Sequence, residues 1–488
     1  MLRKLYEKYN SLSIQLRATV WFFICSVLQR GVSVITTPIF TRLLSTAEYG
    51  QYSVFNSWLS IVSIIVTLQL AGGVYTMGIV KYKEEEAVFT SSLQGLNLTL
   101  CLVWTIVYAL FHNFWNTLFS LTTVQMLAML VMIWTSSSFV FWMTTQRNAY
   151  RYRALVAVTL AVSLAKPLVG IFFVLHAQDK VTARILGLML VEVIAYSGFF
   201  VRQMQKGKKF YSKRFWKYAI LFNLPLIPHY LSGSILGSSD RIMIQRMVGV
   251  AQAGIYSLAY SISQIMTMVN DSLNKTMSPW LYQKIREKDY GSMSRVVYPS
   301  LLLIACANLL LIAVAPEVVA VFAPEEYYEA IYVIPPVAMS VYANYLYLCF
   351  APFEFYFEKR IWTTIGTLTS AIANIFLNLI FIRLCGYYAA GYTTLVCYLI
   401  NSAMHYYFMR RVCRTYLNDI RPYSLRLLVL ISGVFMAVGF AYIPTYQNRA
   451  ARYLLTMLIL VVLFMQRKRL VPMVKGMLRK TDKKGEVI

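Results

Sequence analysis

Three charged side chains, Arg30, Lys166 and Glu192, stand inside stretches that are otherwise apolar for the length of a membrane crossing. A charge at the centre of such a stretch costs about 2.5–3.5 kcal/mol on insertion scales, so each needs a partner or a task. Arg30 shares one helical face with Ser26, Ser33 and Thr37, which follow one another at intervals of four, three and four residues. That face is expected to line water. Lys166 and Glu192 lie on consecutive antiparallel stretches, about 15 and 18 Å from the turn at 177–180 at 1.5 Å per residue. They are predicted to meet, either as a structural ion pair or as a pair that handles substrate or a proton. The three together carry one net positive charge, which suits an anion: arginine binds phosphate oxygens in bidentate fashion, and lysine acts as a point charge.

Further polar positions accompany them. Ser53, Ser57, Ser60 and Thr67 form a stripe along one helix, as do Ser257 and Ser261 along another. A later stretch carries Asn223, Pro225, Pro228, His229 and Ser234, and its two prolines free backbone carbonyls and permit bending. Ser33, Thr37, Ser57, Asn223, Ser234 and Ser261 are therefore expected to contact substrate beside Arg30 and Lys166. Arg42, Asp240, Arg241 and Arg246, at the ends of their stretches, are assigned to a gate. Glu192 with Lys166 is the candidate coupling pair. No GxxxxGK[ST] loop and no HExxH occur, and His112, His176, His229 and His405 lie far from one another. No metal, no cofactor and no enzymatic hydrolysis of nucleotide is expected.

The elements that must position these groups follow from composition. Of the 488 residues 58% are hydrophobic and 14% charged, with a mean hydropathy of +0.57. About 20 apolar residues cross the hydrocarbon as a helix. Fourteen such spans are predicted, at 18–40, 50–74, 88–111, 118–140, 154–175, 181–201, 216–237, 250–270, 296–315, 330–351, 361–382, 389–409, 424–442 and 450–466. The fold class is therefore all-α and polytopic. The net charge of +26 would suit nucleic acid if it were clustered on a soluble face. Instead, 36 of the 46 Lys and Arg fall on the tails and alternate connections, against 8 on the other side. This asymmetry predicts two cytoplasmic termini, contact with anionic lipid headgroups and no nucleic-acid partner. The first span has no small-residue cleavage site and reads as a retained helix. Seven scattered cysteines imply neither a disulfide framework nor a zinc site.

An internal repeat organises the spans. Residues 41–57, TRLLSTAEYGQYSVFNS, align without gaps on 245–261, QRMVGVAQAGIYSLAYS, with six of seventeen positions identical at an offset of 204. The shift moves each span by six, so the halves are parallel, with a substrate site expected between them. The predicted organisation is a first lobe at 1–205, a second at 206–415, and a helix pair with a basic tail at 416–488. Mid-membrane charge is expected in the first lobe alone.

The stretches FTRLLSTAEYGQYSVF after the first span and DRIMIQRMVGVAQAGIYSLAYSI from Asp240 resemble the two signature regions of Wzx-type polysaccharide flippases. These belong to the multidrug/oligosaccharidyl-lipid/polysaccharide exporter superfamily. The resemblance implies a secondary transporter that flips an undecaprenyl-diphosphate-linked oligosaccharide across the bacterial cytoplasmic membrane by alternating access. It implies that Arg30, and more weakly Lys166, engage the diphosphate, and that the last two spans offer a groove to the lipid tail. A monomer is expected, and a polysaccharide polymerase is a candidate partner. Two other readings share the architecture. A cation-coupled drug antiporter would favour acidic cavity residues, and a non-transporting scaffold for a polymerase would need no polar stripes.

Overall fold

In lipid every backbone N–H and C=O must find its partner within the chain, and a helix does this segment by segment. The computed structural model describes residues 13–465, and the described residues are helical throughout apart from short connections. The basic tails, including Arg3, Lys4, Lys8 and 466–488, lie outside the described residues. Each of the fourteen predicted spans falls on a helix or an interrupted pair of helices. Ten of these are both long and apolar enough to cross a membrane by composition alone.

The chain divides into two compact units, Met1–Ser238 and Ser239–Ile488. The first contains α1 (Ile14–Leu43), α2 (Thr46–Thr67), α3 (Gly73–Lys81), α4 (Glu86–Leu110), α5 (His112–Phe119), α6 (Thr123–Asn148), α7 (Tyr152–His176), α8 (Lys180–Gly207) and α9 (Lys213–Asn223). α10 (Ile227–Met247) runs from the first unit into the second. The second continues with α11 (Val250–Glu287), α12 (Tyr290–Ala313), α13 (Ala315–Phe322), α14 (Ile334–Tyr356), α15 (Arg360–Cys385), α16 (Ala389–Tyr416), α17 (Leu425–Tyr442) and α18 (Arg449–Met465).

Local chemistry sets where these helices begin and break. Ser45 caps α2 in a reciprocal box: the Glu48 amide donates to Ser45 Oγ at 3.2 Å and the Ser45 amide to Glu48 Oε2 at 2.8 Å. Thr122 and Gln125 form the same device at the start of α6. The second predicted span does not continue to 74. Leu68 and Gln69 take positive φ angles of 47° and 53°, which ends α2, and α3 follows as a separate short helix. The seventh span breaks where its prolines predicted bending, through a 3-10 turn at Leu224–Leu226 between α9 and α10. The two interruptions are joined, since Asn223 Nδ2 donates to the Leu68 carbonyl at 2.8 Å. That carbonyl is one the broken helix leaves without an in-helix donor.

In the first unit α8 is the hub, packing on α6, α7 and α4. The α8–α9 connection lies tightly on α4. A side chain at Gly95 would collide with the Phe210 backbone and one at Gly207 with the Ala87 carbonyl. The Trp216 indole then donates to the Ser92 carbonyl at 2.8 Å. At the α1–α2 turn, the Arg184 guanidinium stacks between the rings of Phe40 and Tyr52, 3.6 and 3.5 Å from their centroids. Lys180 Nζ donates to the Leu43 carbonyl at 3.0 Å. These contacts tie the α7–α8 turn to the α1–α2 turn.

In the second unit α14 is buried along most of its length and packs on α16, α11 and α12. Arg452 of α18, buried apart from 1% of its surface, pairs with Glu317 of α13, and Tyr453 donates to the same carboxylate oxygen at 2.7 Å. This anchors the C-terminal helix. The units have parallel internal plans. α2 and α11 begin at Thr46 and Val250, and α4 and α12 at Glu86 and Tyr290, each pair separated by 204 residues. The strong α6–α8 and α7–α8 packing has its counterpart in α14–α16 and α15–α16. Outward faces carry large apolar side chains such as Leu110, Ile194 and Leu384, as lipid-facing helices require.

Candidate functional site

The first unit holds a cavity of about 340 Å³. Phe22, Cys25, Ser26 and Gln29 of α1 form one wall, and Leu155 and Thr159 of α7 another. α6 contributes Ser136, Phe139, Val140, Met143 and Arg147, and α8 contributes Tyr196. The cavity thus combines apolar and aromatic surface with hydroxyls, an amide and one guanidinium. Arg147 stands in the last turn of α6, where the exposed carbonyls of a helix C-terminus favour a cation.

Behind this cavity lies the predicted ion pair. Lys166 Nζ donates to Glu192 Oε1 at 2.6 Å. Glu192 is buried, and its other oxygen accepts from Ser136 Oγ at 2.8 Å and Thr135 Oγ1 at 3.3 Å. Lys166 Nζ also sits 5.8 Å from the centre of the Tyr196 ring. Ser136 and Tyr196 therefore belong both to the cavity wall and to the surroundings of the ion pair. Three donors, one of them cationic, thus converge on this buried carboxylate, as the burial of an ion pair requires.

Arg30 is exposed and stands one turn along α1 from Ser26, flanking the cavity rather than lining it. Ser33 is exposed, and its carbonyl accepts from Thr37 Oγ1 at 2.8 Å. The other stripe hydroxyls behave likewise. Ser57 donates to the Ser53 carbonyl at 3.0 Å and Ser261 to the Ser257 carbonyl at 2.8 Å. Serine and threonine in apolar helices bond the preceding turn by default, leaving their oxygens as acceptors toward a ligand. Asn223 is buried and engaged at the helix break, while Ser234 is half-buried on α10. Arg42 is exposed with Nη1 donating to the Pro38 carbonyl at 2.9 Å, and Arg246 is exposed at the end of α10.

Asp240 has a different setting. It is fully buried in the second unit and accepts from Tyr256 at 2.6 Å, Thr394 at 2.7 Å and Asn378 Nδ2 at 2.7 Å. Asn378 Nδ2 also reaches Asn374 Oδ1 at 3.2 Å, which Ser239 Oγ approaches at 3.0 Å. The network joins α10, α11, α15 and α16. Arg241 carries its guanidinium 4.1 Å from the centre of the Tyr260 ring.

A second buried carboxylate lies at Glu354, whose Oε1 is 2.6 Å from His405 Nδ1 with both side chains inaccessible. The expectation of mid-membrane charge in the first lobe alone concerned the centres of the spans; beyond the ends of the predicted spans at 237 and 351, Asp240 and Glu354 add two buried carboxylates to the second unit. Arg147 was missed for the same reason, its span having been ended at 140. Glu354 and His405 are 51 residues apart and carry no joint pattern that a reading along the chain could detect.

Fold and composition define a multi-pass, all-helical membrane protein. Residues 16–285 match the family model described as "Polysaccharide biosynthesis protein", and the chain belongs to that family. Among curated proteins it is 22% identical over 293 residues to protein 1 of the Lsg locus of Haemophilus influenzae, covering 55% of this chain and 66% of that one. A second membrane protein of the same organism is 22% identical over 275 residues, covering 52% of this chain and 62% of its own length. The chain thus spans just under two thirds of each. Among solved structures, that of the lipid II flippase MurJ in an inward closed conformation is similar with a TM-score of 0.69 at 12% identity, covering 93% of this chain and 100% of that one. A multidrug resistance MATE family transporter, in an inward-facing conformation, is similar with a TM-score of 0.61 at 11% identity, covering 82% and 99%. At these identities the likeness is one of fold.

Proposed function

We propose that this chain flips an undecaprenyl-diphosphate-linked oligosaccharide from the inner to the outer leaflet of the bacterial cytoplasmic membrane, by alternating access, for surface polysaccharide synthesis. The observation that carries the reading is the cavity in the first unit, where Arg147 is the charged lining residue, Arg30 stands one turn away, and Glu192 is already neutralised by Lys166. A diphosphate headgroup needs a cationic, hydrogen-bonding pocket, sugars need hydroxyl, amide and aromatic surface, and the polyprenyl chain can stay in lipid. Arg30 and Arg147 are assigned to the diphosphate, and Lys166 joins them when it leaves Glu192. Both termini face the cytoplasm, and the chain works as a monomer beside a polysaccharide polymerase. The antiporter reading is disfavoured by the same cavity, which presents no unpaired carboxylate among its lining residues.

The test is flipping of a fluorescent undecaprenyl-diphosphate oligosaccharide in proteoliposomes. Arg30→Gln and Arg147→Gln should each lower the rate by about tenfold or more, the loss of one charge-assisted contact to phosphate. Full activity of the double variant at matched protein amount would remove the assignment.

A further inference from the structure

The Glu354–His405 pair lies outside the cavity and has no part in the reading above. Glu354 stands in the last turn of α14, and both of its oxygens are occupied, Oε1 by His405 Nδ1 at 2.6 Å and Oε2 by Thr363 Oγ1 at 3.2 Å. His405 projects from α16 and is inaccessible, with its second ring nitrogen, Nε2, buried and without a hydrogen-bond partner. Nε2 faces Gly366 of α15, where a side-chain carbon would stand 2.7 Å away. Glycine at 366 therefore lets α15 pack directly against the imidazole. Tyr347 of α14 lies over the imidazole with ring centres 4.5 Å apart and comes close to Tyr282 of α11. Phe408 packs against the ring from α16, and Arg411 of α16 is directed onto Trp362 of α15, 5.0 Å from its centre. From α12, Tyr290 is turned toward Tyr356 and Cys413.

The proton count follows from these contacts. With a proton on Nδ1 and none on Nε2, an ionised Glu354 and a neutral imidazole leave one net negative charge in a site closed to water. One further proton on Nε2 makes the pair neutral overall. Neither state satisfies Nε2, which as lone pair or N–H finds no partner while the helices are packed as they are. A buried uncompensated charge is far more costly than a neutral ion pair, and a proton at Nε2 is what balances the charge of this closed site.

We propose that Glu354 and His405 form a proton-binding site in the second unit, loading one proton at His405 Nε2, and that its uptake and release drive the transport cycle. Glu354 carries the compensating charge, Thr363 holds that carboxylate in place, and Gly366 admits the imidazole against the backbone of α15. If the topology proposed above holds, Glu354 is one turn from the cytoplasmic end of α14, so the proton is released to the cytoplasm there, having entered from the opposite side as the lipid-linked head moves outward.

The experiment uses the full chain. In proteoliposomes carrying the fluorescent undecaprenyl-diphosphate oligosaccharide, a gradient of about one pH unit should shift the steady-state distribution of probe between leaflets about tenfold if one proton is exchanged per cycle. Glu354→Gln and His405→Asn should each reduce that shift to less than about twofold, and a shift retained in both would overturn the proposal. In nanodiscs, NMR of the histidine ring nitrogens reads the proton itself, without any lipid-linked substrate. A pH-dependent resonance that His405→Asn abolishes and Glu354→Gln or Thr363→Val displaces upholds the site. Absence of such a resonance overturns it. If wild-type protein moves no probe, the flippase reading is what fails, and the NMR titration alone decides the proton site.

Discussion

Lys166 and Glu192, 26 residues apart in sequence, meet at 2.6 Å with the lysine 29% exposed and the carboxylate 4% exposed. The burial is unequal, so the two partners are not interchangeable. Lysine can turn its ammonium outward along a flexible stem, whereas Glu192 has no route to water.

Removing the cation should therefore be worse than removing the anion. Lys166→Met strands a buried carboxylate with only Ser136 and Thr135 as donors, an expected loss of about 3–5 kcal/mol. Glu192→Gln leaves a lysine that can reach solvent, an expected loss of about 1–2 kcal/mol. Combining Lys166→Met with Glu192→Leu should recover most of the difference. Thermal unfolding of the three variants in detergent checks the order, and equal losses for the two single variants would refute it.

Asp240 ties α10, α11, α15 and α16 together. Asp240→Ala leaves Tyr256 and Thr394 without their acceptor, and Asn378 with Asn374 alone, in a closed site, and should cost about 3 kcal/mol or more. Asp240→Asn retains the shape but must present a donor to at least one of three donors, and should cost about 2 kcal/mol. A melting temperature unchanged by Asp240→Ala would show that the network contributes nothing.

A pH effect is expected at the connection before α14. Tyr387 donates to Glu329 Oε2 at 2.5 Å, and the hydroxyls of Tyr387 and Tyr388 hold this carboxyl below the usual carboxylate range, against a smaller opposing effect of burial. Because the folded value is depressed, the contribution is complete above the ordinary carboxylate range and fades as pH falls through the depressed one. Glu329→Gln should lower stability at neutral pH and converge with wild type in acid. Curves that stay parallel down to the acid limit would exclude this role.

Topology can be read from a native cysteine. Cys385 is exposed at the end of α15, which the proposed orientation places outside. An impermeant maleimide should label it in intact cells, and a cysteine placed at Lys209 should react only after permeabilisation. The opposite pattern would invert the orientation.

How much of this was legible in the sequence depended on the range over which each signal acts. Helical periodicity and apolar length are local, and they placed helix at each of the fourteen predicted positions, ten of them long and apolar enough to cross a membrane. The Lys166–Glu192 contact was legible because one short turn fixes the depth of both residues. Arg147, Asp240 and Glu354 were lost at span edges, where hydropathy falls although the helix continues. The repeat was legible where helix starts keep their 204-residue separation. It blurred where Tyr152 and Arg360, 208 apart, begin α7 and α15, so residues matched there at a fixed offset drift by a helical turn. Nothing in a linear pattern announces that His405 sits under Glu354, because helix packing alone brings them together.

The hydrogen bond from Asn223 to the Leu68 carbonyl has a mechanical meaning. Each end belongs to a point where a long helix gives up its internal bonding, so two flexures share one pin. Bending at Leu224–Leu226 cannot proceed without pulling on the end of α2 or shearing this bond. The adjacent Gly73, with room for little more than hydrogen beneath the Tyr230 hydroxyl, keeps α3 close enough to α10 to follow. The two breaks therefore act as one linkage, a crank that turns a change of angle in one helix into displacement of another.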